Sequence, residues 1–195
     1  RTKAIASALV LDAAKNGLDA VIVMPTGVIG PNDFRRSEMG EMLLSWMQKK
    51  PSISTDGGYD FVDVRDVAEG HILAARYGRS GETYLLSGTR VSVKDYRRLV
   101  QEAAGVHSAE IMIPGWFVKF IAPVAEFFYK ISHTRPRITK YAIETLLSNS
   151  NITSRKAETE LGYHRRQLHE TVADTVEWWR VYHTRIKPSL RKSSV

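Results

Sequence analysis

With 195 residues, 43% of them hydrophobic and 25% charged, the chain is long enough to bury a core and has the composition of an ordinary globular protein. It contains no cysteine, which excludes a disulfide framework and a thiolate nucleophile, and its histidines show neither H-x-x-x-H nor H-E-x-x-H spacing, so no metal centre is expected. The formal charge of +7 comes from small clusters (Arg135, Arg137 and Lys140; Arg155 and Lys156; Arg165 and Arg166; the end from Arg185 to Lys192) with no RNA-recognition, zinc-finger or helix-turn-helix signature, so a solvated surface is expected and nucleic-acid binding is not.

The chain opens on helix-forming residues from Thr2 to Lys15, with Asn16-Gly17 as the stop. Ile5, Ala6, Leu9, Val10, Ala13 and Ala14 make a wide apolar stripe, which predicts burial on more than one side and suggests that residue 1 is an internal position of a longer protein. Ala20 to Val23 carry no polar side chain, as in a strand covered on both faces of a parallel sheet. Pro25 is expected to end that ladder, because it has no N–H to give, and Gly27, Gly30 and Pro31 to form a stiff loop whose backbone is open to close approach. Ligands of open α/β sheets sit just beyond the carboxyl ends of strands, so this loop is a candidate binding site.

Glu38 to Gln48, with Met39, Met42, Leu43, Trp46 and Met47 at helical spacing, reads as an amphipathic helix, its apolar side for core packing or for an apolar pocket. A weak strand at Ser52 to Thr55 and a second from Asp60 are expected to form a hairpin through Gly57-Gly58. Asp66 with Glu69 resembles a capping box that opens a helix ending at Tyr77, and His71 reads as a packed residue of that helix. Glu82 to Ser87 reads as a strand, and Ser92 with Asp95 caps a helix carrying Tyr96, Leu99, Val100 and Ala103. The segment 111–131 is aromatic and apolar but interrupted by Pro114, Lys119, Pro123, Glu126 and Lys130, which argues against a transmembrane span. It is read as a lid over a hydrophobic substrate, with an interfacial helix making peripheral membrane contact as the alternative. Helices follow at Thr139 to Leu147, at Ser154 to Glu160 with Gly162 as a stop, and at Thr171 to His183 with Val172, Val176 and Trp179 inward. Residues 184–195 read as a disordered basic tail. No signal peptide is visible, and a cytoplasmic location is expected.

Lys3 on a helix, the strand ending Pro25-Thr-Gly-Val-Ile-Gly-Pro31, Phe61-Val-Asp-Val-Arg-Asp-Val-Ala68, Gly81-Glu-Thr-Tyr-Leu-Leu-Ser-Gly88, and Lys156 to Tyr163 followed by Trp178-Trp179-Arg180 occur in an order that resembles the second half of an extended short-chain dehydrogenase/reductase. Within that superfamily the chain is similar to the NAD-dependent epimerase/dehydratase group, especially dihydroflavonol-reductase-like members. The resemblance implies an α/β fold: the C-terminal part of a Rossmann-type doubly wound parallel sheet plus a smaller, mostly helical substrate domain. It divides the chain into residues 1–34, the end of a dinucleotide-binding domain; 35–183, mainly substrate-binding, with a strand and helix returning to the Rossmann core near 60–78; and the tail 184–195.

By the same resemblance, Lys3 is the lysine of a Tyr-x-x-x-Lys pair, catalytic and in contact with the nicotinamide ribose of NAD or NADP. Its tyrosine would fall two residues before Arg1, outside this sequence. Side chains four apart on a helix share one face, and the ammonium would lower the phenol's pKa for proton transfer while hydride moves. Pro25, Thr26, Gly27 and Val28 would lie against the nicotinamide, and Asn32, Asp33 and Met39 would begin the substrate site. No G-x-G-x-x-G turn occurs in this chain, so that turn too would lie upstream. The implied function is NAD(P)-dependent oxidation or reduction of a carbonyl or hydroxyl group on a small hydrophobic molecule. Nucleotide-sugar epimerisation or dehydration, and a non-catalytic dinucleotide-binding redox sensor, remain open alternatives. A homodimer through the helix of residues 1–16 is a candidate assembly.

Overall fold

The structure is a computed structural model of the chain and describes residues 2–48, 51–115, 117, 146, 148 and 151–191. These residues form α1 (Thr2–Lys15), β1 (Ile22–Pro25), β2 (Gly27–Ile29), α2 (Glu38–Met47), β3 (Ser52–Thr55), β4 (Gly58–Asp63), α3 (Val64–Tyr77), β5 (Thr83–Leu86), β6 (Thr89–Ser92), α4 (Val93–Ala104), β7 (Glu110–Ile113), α5 (Arg155–Leu161) and α6 (Leu168–Arg191). The pairings β1 with β5, β2 with β4 and β3 with β7 are all parallel, as the α/β expectation requires. The chain divides into two units, the first made of Arg1–Gly30, Asp60–Thr89 and Ile152–Thr171, the second of Pro31–Tyr59, Arg90–Asn151 and Val172–Val195.

In the first unit α1 ends where expected: Gly17 takes a left-handed φ of 100°, and its amide donates to the Ala14 carbonyl at 3.2 Å. The expected burial of α1 is not observed. No residue of the helix is fully buried, and Ile5 and Leu9 are more than half exposed, because among the described residues no other element covers its apolar stripe. The following strand also departs from expectation. Pro25 does not end the ladder but stands in register with Leu86, and the Thr26 amide donates to the Leu86 carbonyl at 3.1 Å. The chain then changes neighbours, and Gly27 to Ile29 pair with Phe61 to Asp63 of β4. A parallel ladder draws on alternate residues, so a proline is tolerated where its nitrogen is not called upon to donate. Coverage on both faces is incomplete, since Ala20 to Val23 are each half-buried.

On one face, Tyr84 and Leu86 of β5 and Val62 of β4 pack with Ala74 of α3, Ala157 and Leu161 of α5, and Tyr163. Helix α3 presents Asp66, Gly70 and Ala74 inward at helical spacing, and a Cβ on Gly70 would meet Leu86 Cδ1 at 2.4 Å, so glycine here permits close helix-to-strand packing. The cap of α3 is Asp63 rather than Asp66: the Asp63 carboxylate accepts the Arg65 amide at 2.8 Å. His71 is exposed on α3, its Nδ1 2.7 Å from the Val67 carbonyl, instead of packed.

In the second unit the Ser92 hydroxyl accepts the Asp95 amide at 3.0 Å and caps α4 as the spacing predicts; Gly105, at φ 64°, ends the helix. Helix α2 buries Leu43, Leu44 and Trp46, and the Trp46 ring meets Tyr96 of α4 edge-on with centroids 5.6 Å apart. Burial raises the Tyr96 phenol well above its ordinary range. The Gly57-Gly58 hairpin is not formed, because β3 pairs with β7. The two glycines serve close packing instead, Gly57 against the Leu146 carbonyl and Gly58 against the Val91 carbonyl, where a Cβ would sit 2.4 Å from either oxygen. The strands β6 and β7 carry no local signal in the sequence that announces them. Buried Arg97 secures the approach to β7, donating to the Ser108 carbonyl at 2.7 Å and the Ala109 carbonyl at 3.1 Å and pairing with Glu110 at 3.3 Å.

Val172, Val176 and Trp179 of α6 are buried as expected, and Arg180 donates to the Ala103 and Ala104 carbonyls at 3.2 and 2.8 Å, placing a cation at the C-terminus of α4. Helix α6 runs to Arg191, past the start of the expected disordered tail. Of the segment 111–131, residues 111–113 lie in β7, Pro114 is exposed and irregular, and residues 115 and 117 are helical, while residues 116 and 118–131, like the expected helix 139–147 apart from Leu146, fall outside the described residues. Among the described residues no helix is long and apolar enough to cross a membrane.

Candidate functional site

The bend of residues 25–30 lies where one extended stretch leaves β5 for β4. Beyond the carboxyl ends of parallel strands the backbone turns outward, and a change of strand neighbour opens room beside them. Pro25 and Val28 are exposed, while Thr26 and Gly27 are half-buried. A Cβ on Gly27 would touch the Asp60 carbonyl and the Phe61 ring at 3.0 Å, so this glycine lets β2 lie close on β4. Gly30 has φ 143°, a left-handed conformation that disfavours side chains, and a Cβ there would meet Val64 Cγ1 at 2.7 Å.

Two carboxylates of β4, Asp60 and Asp63, stand at or beside this bend, and Asp66 follows on α3. Asp60 accepts the Thr26 hydroxyl at 2.6 Å and the Gly88 amide at 2.7 Å. Asp63 accepts Arg65 Nε at 2.9 Å and Nη2 at 2.6 Å in addition to the Arg65 amide. Burial pushes Asp63 up, but the Arg65 side chain and amide, the Thr171 hydroxyl and the guanidinium charge outweigh it and hold the carboxyl below its ordinary range. Asp66 accepts the Arg166 amide at 2.7 Å and pairs with the Arg166 guanidinium. There burial dominates, and with the neighbouring Asp63 charge it leaves that carboxyl raised. Tyr163 donates to the Ser87 carbonyl at 3.3 Å, its phenol pushed well up by burial and by the Asp66 charge.

The expected site residues fall into both units. Lys3, exposed in the first turn of α1, belongs to the first unit with Pro25, Thr26, Gly27 and Val28, whereas Asn32, Asp33 and Met39 belong to the second. The Thr26 amide is taken by Leu86, so it is not a donor for a ligand. Asp33 is engaged at the start of α2, accepting the Ser37 amide at 2.9 Å and the Ser37 hydroxyl at 2.7 Å. Asn32 is exposed with a left-handed φ of 72°, and Met39 is half-buried. Asp60 and Asp63 are not among the residues that sequence reasoning places at the site. The available signal was a pair of carboxylates flanking the apolar, inward-facing Phe61-Val62 of one strand.

Parallel strands joined through helices, with an exposed bend at their carboxyl ends, define a Rossmann-type α/β protein. Residues 1–87 match the model of the NAD dependent epimerase/dehydratase family. It is 31% identical over 184 residues to sterol demethylase protein B of Methylococcus capsulatus, covering 92% of this chain and 56% of that protein. It is 28% identical to a putative dihydroflavonol 4-reductase of Synechocystis, covering 87% of this chain and 50% of the relative. Among solved structures, gox2253 superposes with a TM-score of 0.76 at 32% identity, covering 91% of this chain and 54% of that one. The chain thus spans about half the length of the curated relatives it matches.

Proposed function

We propose that this chain is part of an NAD(P)-dependent oxidoreductase that acts on a carbonyl or hydroxyl group of a small hydrophobic molecule. The observation that carries this reading is the partner-switching bend at Pro25 to Gly30, in the same unit as the helix bearing Lys3 and within the stretch matched by the family. Exposed Pro25 and Val28 fit the flat, apolar face of a nicotinamide, while the chain supplies no glycine-rich turn for the diphosphate, so the residues here fit the nicotinamide end of the cofactor alone. When bound, that cofactor supplies hydride chemistry at a carbon atom. Lys3 would hold the ribose and lower the pKa of a tyrosine one turn earlier on its helix, so that the phenol exchanges a proton with the substrate oxygen. Asn32 and Met39 would contribute to the substrate site, and Asp33 would act there through its hold on α2. The exposed Ile5 and Leu9 on α1 favour pairing with a second copy of the chain. The sterol and dihydroflavonol named for the two relatives support an apolar, ring-containing substrate.

The test uses the full-length protein with NADH and NADPH, following loss of reduced-nicotinamide absorbance over a panel of hydrophobic cyclic ketones. Consumption coupled to alcohol formation is expected. Failure of both dinucleotides to bind, measured by fluorescence titration, would remove the oxidoreductase reading.

A further inference from the structure

Thr26 is the residue at which the strand changes neighbours: its amide still belongs to β5, and the next residue is already in register with Phe61 of β4. Two acceptors lie near its single hydroxyl hydrogen, Asp60 Oδ1 at 2.6 Å and the Leu86 carbonyl at 3.5 Å. The shorter contact, to a carboxylate, is the stronger hydrogen bond. The same Oδ1 also accepts the Gly88 amide at 2.7 Å, just past the end of β5. One oxygen of a buried carboxylate on β4 therefore ties the end of β1 to the end of β5. Among the described residues no arginine or lysine pairs with Asp60, unlike Asp63 and Asp66 nearby. A buried carboxylate held by two neutral donors is costly, and such a cost beside an exposed bend points to a demand for fixed geometry there.

We propose that Asp60 is a positioning residue that acts through Thr26 to set the height of the Pro25–Val28 bend, and so the docking of the nicotinamide half of the dinucleotide. The proposal rests on the oxidoreductase reading above. It is tested in the full-length protein with Asp60→Asn, Thr26→Val, the double variant and Thr26→Ser, measuring dissociation constants for NADPH or NADH and for the matching ADP-ribose analogue, which lacks nicotinamide. Asp60→Asn and Thr26→Val should each weaken the whole dinucleotide about tenfold, the size of one charge-assisted hydrogen bond, and leave the analogue's affinity unchanged. The double variant should be no weaker than either single one, and Thr26→Ser should bind as the parent does. Equal weakening of the analogue, unchanged dinucleotide affinity, or additive losses would each overturn the proposal while leaving the oxidoreductase reading in place. A parent protein that binds neither dinucleotide would overturn both. Should Asp60→Asn not fold, the contrast between Thr26→Val and Thr26→Ser decides the matter: weakening confined to Thr26→Val supports the positioning role, and equal affinities overturn it.

Discussion

Lys3 is exposed on α1, so its replacement should leave the fold alone. In the full-length protein Lys3→Met should lower kcat by roughly 10²–10⁴-fold, the usual contribution of general acid–base assistance, with an unchanged melting curve. Unchanged turnover would remove Lys3 from the mechanism. Asp63 makes a different prediction, because its carboxyl is held below the ordinary range in the folded protein. A group depressed on folding contributes stability above its unfolded pKa and loses it as pH falls through the folded one, here below about pH 4. The melting temperature of the parent should therefore fall more steeply than that of Asp63→Asn as pH drops through that range, and parallel curves would show that Asp63 contributes no such linkage. At neutral pH, Asp63→Ala should cost about 1–3 kcal/mol, since it strips the N-cap of α3 and takes the carboxylate away from the part-exposed Arg65 guanidinium. The helix that carries Lys3 and the strand that runs into Pro25 were legible from local residue types. The role of Asp60 was not, since it depends on Thr26 and Gly88, far from it in sequence, and the cap at Asp63 was masked by the Asp66–Glu69 spacing although its partner, the Arg65 amide, is local.

Elements defined by local chemistry were readable in advance. Ser92 with Asp95 gave α4, Gly162 stopped α5, and the spacing of Val172, Val176 and Trp179 gave the buried face of α6. Elements that depend on distant neighbours were not. Gly57-Gly58 carries the composition of a hairpin turn, yet its flanking strands pair elsewhere, because nothing in a local window tells a tight turn from a close backbone crossing. Gly88 shows how narrow such a crossing is: a Cβ there would fall 1.8 Å from the Phe61 carbonyl. Gly88→Ala should accordingly destabilise the protein by about 3 kcal/mol, at the upper end of overpacking, measured by urea denaturation. A cost near zero would mean that β4 and β5 separate easily at this end.

At the level of the whole chain, the first unit is assembled from three separated stretches, and the last of them supplies Ala157, Leu161 and Tyr163 to the core around Tyr84 and Leu86. Truncation after Asn151 should therefore expose that core and cost several kcal/mol, since a single large core side chain cut back to alanine already costs about 2–5. Loss of the cooperative melting transition is the expected readout, and retention of the parent's transition would show that the first two stretches hold together unaided. In the full-length protein, a nicotinamide dinucleotide at about 100 times its Kd should stabilise the fold by about 2.7 kcal/mol, visible as a rise in Tm. No rise with either dinucleotide would contradict binding to the native state.

This interleaving also bears on biosynthesis. Strands β1 and β5 leave the ribosome well before Thr171, and at roughly 5–20 residues per second the interval lasts several seconds. Throughout it Tyr84 and Leu86 await α5, so nascent chains arrested before Ile152 should be protease-sensitive and engage holdase chaperones, and those released after Thr171 should not.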